Sequence, residues 1–204
     1  MRALTEAEYL TIASVAFSKI FRSEDPFDEP FQDEIEEREL LWPVYYDLTD
    51  GDPGDKLLTA IIDAARTIGD SEVFFSVLER PPASEQNCPY HWVIPLMELP
   101  TYRQLSYPLV LENTLYSPKG LWGIMVSQEE HALVGGTRQF MTAFRSKYPR
   151  VKTGVESFIE LLKERKEQFN FDTRWVCKLL AHIYGAEVAR KLLAGTGLIG
   201  AGPD

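Results

Sequence analysis

Residues 109–139 read LVLENTLY-SPKG-LWGIMVS-QEE-HALVGG-TRQ, and this stretch decides the architecture. Two apolar runs flank Ser117-Pro118-Lys119-Gly120. Proline at the second turn position holds φ at roughly −65°, and glycine closes the turn without a Cβ. A second polar interruption, Gln128-Glu129-Glu130, precedes a short run at 131–134, and Gly135-Gly136 then passes the chain into a helical pattern. The pattern predicts a three-strand antiparallel meander over 109–134 that feeds a helix. The fold class is α+β, with the sheet packed against N-terminal and C-terminal amphipathic helices.

Toward the C-terminus, 137–147 reads as a short helix with Phe140, Met141 and Phe144 inward, ended by Pro149. A second helix, 153–169, places Val155, Phe158, Ile159, Leu162 and Phe169 on one stripe. Asp172 is the expected N-cap of a helix over 173–193, with a break at Gly185. Toward the N-terminus, 90–99 reads as a strand interrupted at Pro95, 72–78 as a β-branched and aromatic strand, and 53–68 as a helix stopped by Gly69. The run 41–46 suits an edge strand because Pro43 cannot donate to a ladder. Thr5 and Glu8 have capping-box spacing and open a helix over 5–21, with Leu10, Ala13, Phe17 and Ile20 facing inward. One domain over 1–194 and a flexible glycine-rich tail over 195–204 account for the chain.

The formal charge is −10 over 204 residues, and it is unevenly placed. Residues 1–136 carry 24 acids against 9 bases, whereas 137–204 carry 12 bases against 7 acids. The acidic part disfavours nucleic acid and favours a basic partner; equally, the two parts can attract each other within one molecule. Two cysteines do not make a disulfide framework, which points to a reducing compartment. No run approaches the roughly 20 apolar residues of a membrane span, and Glu6 and Glu8 interrupt any export-like start. A cytoplasmic location is expected.

Residues 24–39 concentrate nine acids against Arg38 alone. Pro26 and Pro30 oppose helix in the first half, and the second half, 32–41, suits one. Phe27, Phe31 and Ile35 recur four apart among the carboxylates. Aromatic anchors in an acidic field fit a basic protein partner, so the expected contact set is Phe27, Phe31, Glu34, Glu36, Glu37 and Glu39. Tyr116 and Trp122, flanking the 117–120 turn, either join that set or pair across strands and bury.

Groups with reactive chemistry are sparse. Cys88-Pro89-Tyr90-His91 has a metal-ligand spacing, but the only second pair, Cys177 and His182, diverges around a helix, so no metal is expected. A cysteine nucleophile would need Cys88 activated by His91 or His131. Ser127, Glu129 and His131 alternate on one strand and stand parallel, which suits a turn better than a triad. Asp47, Asp50, Asp52 and Asp55 lack calcium-loop spacing, and Gly135-Gly136 lacks a phosphate-loop motif.

An acidic α+β chain in which a Ser117-Pro118 turn leads to a Trp122-Gly123 strand is similar in style to small toxin-immunity proteins, without a shared motif. The expectation is a non-enzymatic cytoplasmic protein-binding domain, immunity- or antitoxin-like, that meets a basic partner through an acidic surface. It uses no cofactor and binds neither nucleic acid nor membrane. A small hydrolase or transferase with a cysteine nucleophile, and a self-associating structural adaptor, are the competing readings.

Overall fold

In a computed structural model that describes residues 1–44, 48, 56–78, 89–106 and 112–198, the elements run in the following order. They are β1 (Arg2–Ala3), α1 (Glu6–Glu8), a π-helical turn (Tyr9–Ala13), α2 (Ser14–Ile20), β2 (Glu37–Leu41), α3 (Lys56–Thr67), β3 (Glu72–Val77) and β4 (His91–Pro95). A 3-10 helix (Leu96–Thr101), α4 (Arg103–Ser106), β5 (Asn113–Tyr116), β6 (Trp122–Val126) and β7 (Ala132–Gly136) follow. The chain closes with α5 (Arg138–Lys147), α6 (Val151–Phe169), α7 (Arg174–Tyr184) and α8 (Ala186–Leu193).

The strands form one seven-stranded sheet in the order β1-β4-β3-β5-β6-β7-β2, and every pairing is antiparallel. The meander is β5, β6 and β7, joined by the Ser117–Gly120 turn and the polar turn at 128–130. Strand side chains alternate between faces, and here both faces are covered. Phe75, Leu115, Trp122, Ile124 and Val134 share a core with α3 and α5. Phe74, Tyr116, Met125 and Leu133 share another with the N-terminal helix and with α6, α7 and α8. A sheet buried on both sides explains why LWGIMVS reads as a nearly continuous apolar run rather than a clean alternation.

The two ends of the first 41 residues lie on opposite edges of this sheet, since β1 borders β4 and β2 borders β7. The intervening arm must therefore cross a whole face. Six strand spacings amount to roughly 29 Å, and the 15 helical residues from Glu6 to Ile20 span about 22 Å of it. Residues 21–36 complete the crossing as an extended strap, bridged back on itself at Phe21 and Phe31.

Two glycines make room for this arm. Gly123 and Gly135 are register partners on β6 and β7. A Cβ on Gly123 would stand 2.5 Å from the Phe21 ring, and one on Gly135 would stand 2.9 Å from the Phe31 ring. Phe21 and Phe31 stack at 5.4 Å over this bare floor, which is what a strand-interior glycine at a close approach provides. Beyond the floor, Asp70 ties the 117–120 turn down. Its Oδ2 accepts from Ser117 Oγ (2.8 Å) and Trp122 Nε1 (2.9 Å), and Lys119 Nζ lies 3.2 Å from Oδ1.

The edge at β2 is closed by helices. Leu40 N–H donates to the Tyr184 hydroxyl at 3.1 Å, and Gly154 of α6 brings its backbone against Trp42. Both devices cover an edge that would otherwise invite another strand.

Several expectations are corrected. Residues 37–41, expected within a helix, are a strand, because pairing with β7 sends Glu37 and Glu39 to one side and Arg38 and Leu40 to the other. Leu10 faces outward rather than inward: the π-helical turn starting at Tyr9 adds a residue per turn, and Leu10, Ile12 and Val15 end exposed while Ala13, Ala16 and Ile20 are buried. Phe169 is also exposed, in the last turn before Asn170 closes α6 with φ 52°. The chain stays docked through Leu198, which is buried, so the tail does not come free at 195. The aspartates at 47, 50, 52 and 55 lie outside the described residues.

The glycine floor makes a direct prediction. Gly123→Ala should lose about 2 kcal/mol in urea unfolding through overpacking against Phe21. Phe21→Leu in the same chain should recover part of the loss, giving a favourable coupling in the double-mutant cycle.

Candidate functional site

Residues 24–39 are the stretch expected to meet a partner, and the structure shows what holds them. The strap docks through Pro26, Pro30, Phe31 and Ile35, all buried. Phe27 is half-buried, set edge-on to His131 (5.0–5.5 Å ring contacts with Trp175 and His131 respectively). The four-residue spacing of Phe27, Phe31 and Ile35 thus marks the side that faces the protein's own core.

The carboxylates divide into two groups. Asp28 is bound by Lys178 of α7, and Glu29 and Asp33 by Arg22 at the end of α2. Glu37 and Glu39 are clasped by Arg145 of α5, and Glu36 accepts from the Arg138 backbone N–H at 2.5 Å. Burial pushes the Glu39 carboxyl up from its ordinary range. Glu24, Asp25, Asp33, Glu34 and Glu36 remain on the outer side, exposed. Among the expected contact residues, then, Glu34 is outward, Glu36 is outward but tethered, and Glu37 and Glu39 are committed inside the molecule. Phe31, Tyr116 and Trp122 are wholly buried, so none of these three offers a surface to a partner. Trp122 stacks on Phe140 at 4.6 Å, and Tyr116 packs among Phe17, Phe21 and Phe74.

The three histidines share one task. Each touches the N-terminal arm. His91 stacks on Tyr9 with centroids 3.5 Å apart, and its Nδ1 lies 2.9 Å from Ser76 Oγ, which lies 2.9 Å from the Tyr116 hydroxyl. His131, fully buried, packs against Phe27, Phe158 and Trp175, with Nε2 3.5 Å from the Pro26 carbonyl. His182 Nε2 accepts the Phe31 N–H at 3.1 Å. That acceptance assigns the ring proton to Nδ1.

The same geometry separates the groups an enzyme would need together. His91 on β4 and His131 beside β7 are four strand positions apart, or about 19 Å, so they cannot serve one nucleophile. Cys88 lies outside the described residues. Cys177 is exposed on α7 while His182 points inward, as their divergence around a helix predicts. Ser127 Oγ accepts from the Glu129 N–H at 2.9 Å, and Arg165 takes both Glu129 and Glu130; the trio with His131 is a turn, not a triad. Ser76–His91 is the nearest approach to a nucleophile and base, but Ser76 is buried mid-sheet and bonded on both sides. Sequence reading missed Ser76; its one signal was a polar residue on the Phe74 face of an apolar strand. Among the described residues, no cluster of three or more His, Cys, Asp or Glu could hold a metal, and no helix is long and apolar enough to cross a membrane. No family model, curated protein or solved structure matches the chain.

Burial holds the pKa of His131 and of His182 down, from 6.5 to about 4; for His182 the neighbouring Arg38 and Arg22 add to the effect. For His131 the Pro26 and Glu129 carbonyls pull weakly the other way. Between pH 4 and 6.5 the unfolded chain therefore binds more protons than the folded one, and stability falls as pH falls through that window. His131 alone should account for a loss on the order of 3 kcal/mol between those limits. Urea midpoints compared at pH 6.5 and 4.5 should show a smaller drop in His131→Leu than in the parent chain.

Proposed function

We propose that this chain is a non-enzymatic protein-binding domain, immunity- or antitoxin-like, that captures a basic protein through the outer side of its acidic strap. The observation that carries the reading is the two-sided strap: its prolines and aromatics are spent on docking, while Glu24, Asp25, Asp33, Glu34 and Glu36 are held outward. A segment already ordered by its own core loses little conformational freedom on binding. A row of fixed carboxylates also steers a cationic surface toward it and makes capture sensitive to salt. The contact set is narrower than the sequence suggested, because Glu37 and Glu39 have internal cationic partners. A cysteine-based enzyme gains no support from the described groups, whose two sheet histidines are far apart and buried.

The reading is tested by immobilising the intact chain and passing over it, at low ionic strength, a lysate of the cells it comes from. A single stoichiometric basic protein should be retained, with affinity falling as salt rises. The Glu24→Gln/Asp25→Asn/Glu34→Gln variant, with an unchanged circular dichroism spectrum, should bind that protein at least tenfold more weakly, chiefly through a slower association rate. Retention of no basic protein, or equal retention by the variant, would remove the proposal.

A further inference from the structure

The strap is held differently from the rest of the arm. Its middle section has a buried backbone bond to a side chain, Phe31 N–H to His182 Nε2, and that bond exists only while the ring is neutral at Nε2. Around it lie groups of both signs. From β2, Arg38 Nη1 stands 3.5 Å from His182 Nδ1 and donates to the His182 carbonyl at 2.7 Å. From the end of α2, Arg22 faces the same region, and on α7 itself Lys178 sits one turn earlier. From the strap, Asp28 and Asp33 oppose them, but Lys178 already holds Asp28 and Arg22 already holds Asp33. A proton on His182 would thus remove the acceptor of Phe31 N–H and place a cation beside a guanidinium whose own carboxylate contacts are indirect.

The second fastening differs, because its polar contact runs from a ring N–H to a carbonyl and a protonated imidazole would keep it. Phe27 wedges against His131 and Trp175, and the Pro26 carbonyl faces His131 Nε2. The groups charged nearby are those of the 128–130 turn and α6, where Arg165 neutralises Glu129 and Glu130. The outermost fastening, Asp28 with Lys178, is exposed, and exposed pairs contribute little.

We infer that residues 24–30 form an acid-released latch, pinned by His182 at the Phe31 N–H, that lifts from α7 and β7 while Phe31 stays on its glycine floor and the sheet beneath stays folded. Proteins open in local units whose free energies lie below that of global unfolding, and this unit is held by the neutral His182 ring, the buried Pro26 and Pro30, the Arg22 N–H bond to the Pro30 carbonyl and an exposed ion pair. Lifting it uncovers Trp175 and Arg38 and frees the already exposed Lys178 from Asp28, leaving His131 packed against Phe158; this is a cationic and aromatic surface that the acidic strap occupies in the closed form. The inference does not depend on the binding proposal, since it concerns only how the strap is held.

The test is amide hydrogen exchange by NMR on the intact chain between pH 7 and 4.5, expressed as protection factors. Reporters of the latch are the N–H groups of Arg22 and Phe31, bonded to Pro30 O and His182 Nε2; Gln32, bonded to Ile20 O, reports the floor contact, and Ile124 and Val134 in β6 and β7 report the sheet. With a ring that titrates at 6.5 when open and about 4 when closed, protection at the latch should fall roughly 60-fold over this range, while the sheet amides, which exchange through global unfolding, should keep a larger opening free energy than the latch at every pH. His182→Gln keeps an acceptor for Phe31 N–H without titrating, and its fall should be under tenfold. Asp28→Asn, which removes the surface pair, should keep the parent's pH dependence. The inference is overturned if latch and sheet amides share one opening free energy at every pH, or if His182→Gln falls as far as the parent. It is also overturned if the His182 ring, followed by its own proton shifts, titrates near 6.5 while the strap remains protected.

Discussion

The structure depends on the contact between a bare patch of sheet and two phenylalanines. Gly123 and Gly135 sit side by side on adjacent strands, and no other residue type would let the rings of Phe21 and Phe31 reach the backbone there. An antiparallel sheet of seven strands that lacked this floor would have one face covered by α3 and α5 and the other only in part. The arm completes that second face. Its helix brings Ala13, Ala16 and Ile20 down to the strands, and its strap carries Phe31 and Ile35 across to the far edge. Burial of large side chains at about 25 cal/mol per Å² is the dominant favourable term in such a fold, and here it requires the glycines in order to be collected.

The lopsided charge follows from the same crossing. The acidic segment must pass over helices that come late in the chain, and those helices are basic. Arg138 and Arg145 meet Glu36, Glu37 and Glu39; Lys178 meets Asp28; Arg165 meets Glu129 and Glu130. The attraction between the two parts of the sequence is thus largely internal. Within the strap, what it leaves without an ion pair among the described residues is narrower than a charged belt: Glu24, Asp25, Glu34 and Glu36, on a backbone fixed from beneath. A binding function, if it uses charge, must use those.

The meander, β3, α3, α5, α6 and the pair of helices parted at Gly185 were legible because each has a strong period and its own turn or cap chemistry. Ser117-Pro118-Lys119-Gly120, Thr137 before α5 and Thr5 with Glu8 are local signals that local structure obeys. Residues 37–41 were not legible, since Glu-Arg-Glu-Leu-Leu has helical composition and becomes a strand only by pairing with β7, nearly a hundred residues away. The inward face of the first helix was misplaced for a different reason. A π-helical turn shifts the period by one residue, and no composition announces it. Phe27, Phe31 and Ile35 recur four apart and read as anchors for a partner; the spacing could not say that Phe31 and Ile35 belong to the molecule's own core. Gly135-Gly136 read only as the hand-over into α5, whereas the structure uses both for close approach, by Phe31 and by Trp122.

The histidines are where sequence and structure part most instructively. A reader of the chain looks at three imidazoles as candidate bases, yet each is spent on the crossing arm: His91 under Tyr9, His131 beside Phe27, His182 beneath Phe31. The physical reason lies in what a crossing segment lacks. Strands satisfy their backbone groups in ladders, but a strap lying across them has N–H and C=O groups that meet side chains instead. A phenylalanine at position 182 would fill the space and leave the Phe31 N–H buried without an acceptor, at a cost of about 1–3 kcal/mol. Neutral histidine offers an aromatic face and a single polar edge in one side chain. It can therefore pack like the ring it touches and still close a hydrogen bond, and this combination, rather than proton transfer, accounts for where the three are found.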